Sequence, residues 1–277
     1  MRRAALAAIL ILVGGCTPAT SSQRPADASV ALPHTQAFGL HSKILDRDFQ
    51  IYVAEPAGLE GKEKAAAVYT LDGDTSFGLV EQIARRLQGA GEMVPAYVIG
   101  IGYGAGPNRR DHEYLHDAAD DVPDSGGGAG FERFLLEELR PLVEKRYPVD
   151  PARAVLSGHS FGGLFVANVL VRHPRAFSGW LISSGSLWVR DEAVTAAARR
   201  MSTAGPNRGG KVWLSVGEEE GPVMIDPMQR LADLLAAPAA GFSVTRKVWE
   251  GESHASVAGS AYARGLRTLL GPAHYGS

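Results

Sequence analysis

The run ARAVLSGHSFGGLFVANVLVR, residues 152–172, decides how the rest of the chain is read. Its first five residues have the aliphatic content of a short buried strand. Residues 161–172 are almost wholly apolar, which suits a buried helix stopped by His173 and Pro174. Between the two stands GHSFGG, a G-x-S-x-G pattern centred on Ser160. Five residues can match by chance, so the strand-to-helix setting gives the pattern its meaning. A chain that turns sharply from strand into helix holds its serine in a strained conformation, with the hydroxyl exposed at the strand end: a nucleophile elbow. Gly158 and Gly162 suit that setting, because strand and helix pack closely there. The competing reading is a glycine-rich βα turn with a spectator serine.

On either side of this run, short apolar segments alternate with amphipathic ones, the pattern of an α/β fold with a mostly parallel central sheet and helices on both faces. Strands are expected at 65–71, 95–102, 152–156, 177–183, 211–216 and 242–249, with one or two outer strands in 42–56. Helices are expected at 75–87, 131–147, 161–172, 192–201, 224–236 and 254–270, the first capped by Asp74 or Thr75. The polar stretch 103–130 is too long for a turn and is expected to carry function or to be mobile. No internal repeat or second composition regime appears, so residues 39–277 read as one catalytic domain.

A serine hydroxyl is a weak nucleophile at neutral pH and needs a base within hydrogen-bond reach. Of eight histidines, His34 and His274 lie in expected tails, and His41 and His173 at the edges of elements. His112 and His116 precede the serine, and His159 adjoins it with a side chain expected to point away. His254, in WEGESHASV after the last strand, has the position a base requires. The acid is expected in the loop that follows KVWLSV, where Gly217 is followed by Glu218, Glu219 and Glu220; Glu220 is the first choice and Glu218 the second. Oxyanion donors would be the N–H of Phe161 and one from the turn Asp72-Gly73-Asp74, foremost Asp74. No HExxH or similar spacing occurs, so no metal site is expected, and the chemistry needs no cofactor.

The N-terminus reads as an export signal over residues 1–15: Arg2 and Arg3, an apolar run over 4–13 too short to span a membrane stably, then small residues. The signal ends VGGC, and Cys16 is the only cysteine, so no internal disulfide is possible. This segment resembles the lipobox of bacterial lipoproteins, which implies lipidation of Cys16 and a membrane-anchored protein facing the periplasm; the alternative is a soluble exported protein. Residues 16–38, rich in Pro, Ala, Ser and Thr, read as a flexible tether. The net charge of −2 and the lack of a basic stretch give no sign of a nucleic-acid partner.

Taken together, YTLDGD, FERFLLEELRPLVEKRYPVD, SGHSFGGLF, SSGSLW, and VGEEE followed by GESHASV resemble the esterase D-like family of α/β-hydrolases, over about residues 38–270 and in the family's order. The resemblance implies the α/β-hydrolase fold and a serine ester hydrolase acting on a small-molecule ester. The branch it is most similar to is that of the siderophore trilactone esterases. There the long insertion carries an R-x-x-D-Y-T-P motif; GYGAGPNRRDHEYLHD is similar in its arginine and in Glu113-Tyr114 but lacks the proline. A substrate such as a ferric catecholate is anionic, and Arg109 and Arg110 could hold it through their guanidinium forks. Trp188, in GSLW, could supply an apolar or cation-stacking wall. Both arginines could equally be a solvated pair, and Trp188 an ordinary core residue. The same machinery would serve a general carboxylesterase or an acyltransferase. A reading of another class is a noncatalytic ligand-binding lipoprotein.

Overall fold

Strands that are apolar at every position must be covered on both faces, and they mark the centre of the sheet. The computed structural model describes residues 31–58, 63–120, 122–203 and 209–272; the signal segment, Cys16 and tether residues 16–30 lie outside the described residues. Within the compact unit Pro33–Ser277, β3 (Ala65–Thr70), β4 (Ala96–Gly102) and β6 (Gly179–Ser183) are buried throughout. With β1 (Thr35–Ser42), β2 (Arg47–Ala54), β5 (Val149–His159), β7 (Lys211–Gly217) and β8 (Ser243–Trp249) they form one sheet of order β1-β2-β4-β3-β5-β6-β7-β8. From β4 to β8 neighbouring strands run parallel, whereas β1–β2 and β2–β4 are antiparallel. Phe38 pairs with Ile51 and Thr35 with Ala54. Residues 35–38, expected to end the tether, therefore belong to the sheet.

Helices α1 (Gly73–Gly89) and α8 (Val257–Leu270) cover one face. The other is built around α5 (Phe161–Arg172), with α2 (Arg110–Tyr114), α3 (Gly128–Arg133) and α4 (Arg140–Arg146) to one side and α6 (Val189–Thr203) and α7 (Pro222–Ala236) to the other. The apolar composition of α5 reflects its burial: Phe165, Val166, Ala167, Val169 and Leu170 have no measurable exposure. Burial of each of the Phe, Val and Leu side chains stabilises the fold by roughly 1.5–3 kcal/mol. Phe165 meets Phe131 edge-on at 5.2 Å.

The helix expected over 131–147 buries Phe131, Phe134, Leu135, Leu139 and Val143, but residues Phe134–Leu139 wind as a π-helix between α3 and α4. Pro141 explains the wider turn. It has no N–H to offer the carbonyl of Glu137, and its ring would clash there in a regular α-helix. The helix expected from residue 192 is preceded by a left-handed turn, with Arg190, Asp191 and Glu192 at φ 52, 50 and 58°. Ion pairs from Arg190 to Asp117 (2.7 Å) and between Glu192 and Arg230 hold it. Helix α8 starts at Val257 rather than at residue 254, which leaves His254 in the preceding loop.

The insertion 103–130 is tied down along its length. The carboxylate of Asp74 accepts the N–H groups of Tyr103 (2.6 Å) and Gly104 (3.1 Å). Glu113, 2% exposed, accepts hydrogen bonds from Arg47 and the Tyr103 hydroxyl, both at 2.8 Å. The Asp72 N–H donates to the Tyr114 hydroxyl at 3.0 Å.

Candidate active site

Parallel strands present their carboxyl ends along one edge, and there the loops after β3, β5, β6, β7 and β8 converge. At the end of β5 the chain reverses into α5 through Ser160, at φ 60° and ψ −123°, a conformation that costs a non-glycine residue about 1–3 kcal/mol. Its backbone is gripped from both sides: the N–H donates to the Ser183 carbonyl (3.0 Å), and the carbonyl accepts from Leu164 (3.0 Å) and Ser186 (3.2 Å). The turn is tight enough to require glycine. A Cβ at residue 158 would lie 2.4 Å from the Gly162 carbonyl oxygen, and one at residue 163 would lie 2.8 Å from the Gly185 Cα. Gly162 meets a milder limit, 3.2 Å from an Asp72 carboxylate oxygen.

Beyond β7, residues Glu218–Glu220 form a single 3₁₀ turn. Its geometry separates the three carboxylates. Glu220 turns inward, its side chain 3% exposed, and its Oε2 lies 2.5 Å from His254 Nδ1. Its Oε1 accepts from the Ser184 hydroxyl and the Gly217 N–H, both at 2.7 Å. Burial alone would push this carboxyl up. The hydrogen bonds from His254, Ser184 and Gly217 outweigh burial and hold it below the ordinary carboxylate range. Glu218 and Glu219 are exposed; Glu218 accepts only from the Gly251 N–H, at 3.2 Å. With Nδ1 committed to Glu220, His254 keeps Nε2 for a second partner. Its ring lies 4.6 Å from that of His159, the residue before Ser160, so the imidazole stands at the elbow.

His159, to which the sequence assigns no role, packs its ring on that of His254. Ser183 and Ser184 were also missed; they secure His159 (3.0 Å) and Glu220, and the signal available for them was their position at the end of a central strand.

Both arginines are paired within the protein. Arg110 is committed within the protein: its Nε donates to Asp72 Oδ1 at 2.7 Å, a second nitrogen donates to the His159 carbonyl at 3.2 Å, and the guanidinium rests over the rings of Tyr114 and Phe161. Arg109 is exposed and paired with Asp124 at 3.2 Å. Each cation thus faces a carboxylate of the protein. Arg110 instead braces the loop after β3 against the elbow. Trp188 is half-buried and borders a cleft with Ala118, Ala119, Arg190 and Asp191. Asp74 directs its carboxylate at the Tyr103 and Gly104 amides and the Tyr52 hydroxyl (2.7 Å), so only its backbone N–H, in the first turn of α1, is available to the site. Phe161 opens α5, and its N–H is likewise a first-turn amide.

The sequence profile of the family described as "Putative esterase" matches residues 42–264. The chain belongs to this esterase family. It is an ester hydrolase with the α/β-hydrolase fold. Among its relatives, the ferri-bacillibactin esterase BesA of Bacillus subtilis is 29% identical over 264 residues, 87% of this esterase and 91% of BesA. The siderophore enterobactin esterase of Emericella nidulans is 33% identical over 56% of this chain and 59% of its own. In fold, the esterase superposes on the BES protein from Bacillus cereus with a TM-score of 0.78 at 24% identity, over 88% of this chain and 97% of that one. Siderophore hydrolase EstB from Aspergillus nidulans gives 0.77 at 22% identity over the same shares.

Proposed function

We propose that this esterase cleaves the backbone esters of a siderophore by two-step acyl transfer, with Ser160 as nucleophile, His254 as base and Glu220 as the acid that orients it. The observation that carries the reading is the 2.5 Å contact between His254 Nδ1 and a buried, ionised Glu220, set beside a strained Ser160. The Ser160 oxygen attacks the ester carbonyl while its proton passes to His254 Nε2, and Glu220 stabilises the resulting imidazolium. The oxyanion rests on the N–H groups of Asp74 and Phe161, where two helix first turns also present their positive ends. His254 then gives its proton to the departing alkoxide. Water, deprotonated by the same nitrogen, releases the acid and restores Ser160.

The substrate class is supported by the names of the relatives, which are esterases of bacillibactin and enterobactin. Arg109, Arg110 and the cleft bordered by Trp188 are the places where such a substrate would be recognised. Turnover of ferric enterobactin, iron-free enterobactin, a feruloyl ester and p-nitrophenyl acetate tests the class. Hydrolysis of the trilactone at a kcat/KM above that of p-nitrophenyl acetate is expected, and activity on the short ester alone would remove the assignment. The VGGC segment supports lipidation of Cys16 and a place on the periplasmic side of a bacterial membrane. Intact mass of the membrane-extracted protein is expected to show a diacylglycerol-modified chain starting at Cys16.

A further inference from the structure

His254 is held by less than its task requires. It lies in a loop between β8 and α8, its side chain is 47% exposed, and among the described residues its ring is hydrogen-bonded to Glu220, a bond about which a ring without further packing could turn. The second restraint comes from His159. This residue ends β5 directly opposite Ser183 of β6, and Ser183 Oγ lies 3.0 Å from His159 Nδ1. The ring packs on that of His254 at 4.6 Å, tilted by 43°, and hydrogen-bonds to the His254 backbone. Burial pushes the His159 pKa down to about 4; the nearby His254 and Arg110 push the same way, against the pull of Glu220. A neutral imidazole has one donor and one acceptor. In the tautomer that leaves Nδ1 as the acceptor, the Ser183 hydroxyl donates to it and Nε2 carries the proton.

We propose that His159 is a positioning residue that fixes the loop and ring plane of His254, keeping the proton acceptor aimed at Ser160. The proposal rests on the reading of Ser160 and His254 as nucleophile and base. A neutral ring suits the task, because a cation at this spot would repel the imidazolium that forms in each transition state. Ser183 extends the restraint to the sheet, since its carbonyl also holds the Ser160 N–H. One strand end therefore sets both nucleophile and base.

The test compares H159L, which keeps bulk and loses both hydrogen bonds, with H159Q, which can make both, and with S183A, which removes only the hydroxyl that fixes the ring. Steady-state hydrolysis of p-nitrophenyl acetate is followed together with the far-downfield NMR signal of the proton between His254 Nδ1 and Glu220. H159L is expected to lose about 10- to 100-fold in kcat with KM changed by less than about twofold, and to broaden the downfield signal. H159Q is expected to restore kcat to within about threefold of wild type and to keep the signal, and S183A to fall between. A soluble H159L with wild-type kcat overturns the proposal. If H159L does not fold, a wild-type kcat in S183A overturns it equally. An inactive wild-type enzyme would instead sink the parent reading, and this one with it.

Discussion

Glu220 is set apart by three hydrogen bonds and near-complete burial, which neither neighbouring glutamate has. Replacing it with alanine is expected to lower kcat by about 10²- to 10⁴-fold with little change in KM, whereas E218A and E219A stay within about twofold of wild type. Comparable losses in all three variants would contradict the assignment. His159 gives a pH signature of its own. Its pKa falls from an ordinary 6.5 to about 4 in the fold, so between these values the unfolded chain binds more protons. Stability should therefore decline as pH drops from 6.5 towards 4. Glu220, held low in the fold, adds to the same decline at the acid end. Urea midpoints across that window are expected to fall less steeply in H159Q than in wild type; parallel curves would show that His159 is not held neutral by burial. At this scale the serine, the base and the acid loop were read from chain order, and the structure brings Glu220 and His254 together beside the Ser160 turn. Chain order could not show His159 on His254, a contact across 95 positions that exists only once β5 and β8 lie in one sheet.

The loop after β3 and the insertion after β4 act as one element. Asp72 starts α1 in a left-handed conformation, pairs with Arg110, and donates its N–H to Tyr114. The ion pair is mostly buried, with side chains 24% and 13% exposed, so removing the cation strands a carboxylate beside the elbow. R110A is expected to cost about 3 kcal/mol in urea unfolding and to lower kcat, while R109A, at an exposed pair, costs less than about 1 kcal/mol. Equal and small effects would mean that the brace does no structural work. The insertion reads in the sequence as functional or mobile, and in the fold it is tied to the loop after β3. Charge in a sequence does not reveal its partner, and the carboxylate facing Arg110 lies 38 residues earlier. The π-helix before Pro141 was hidden for a related reason. The apolar spacing over 131–143 fits a plain helix, and only the cost of a proline ring against the Glu137 carbonyl widens the turn.

Across the whole molecule, the parallel order from β4 to β8 brings chain positions 72, 160, 184, 220 and 254 to one edge of a single sheet. That convergence was legible from the alternation of apolar and amphipathic segments, and so were the central strands, because full burial leaves continuous apolar runs. The N-terminal boundary was less legible: β1 is an edge strand whose exposed residues resemble tether, and it is placed by pairing with β2 and by tertiary contacts such as Arg146 over the Phe38 ring. The central claim, that this edge is a working serine hydrolase site built on Ser160, is most directly tested by covalent labelling. The full-length protein is treated with a fluorophosphonate at neutral pH and mapped by peptide mass spectrometry. One phosphonyl adduct on Ser160 is predicted, abolished in S160A and formed far more slowly in H254A. No adduct under conditions that modify a reference serine hydrolase, or an adduct at another residue that persists in S160A, would contradict the account.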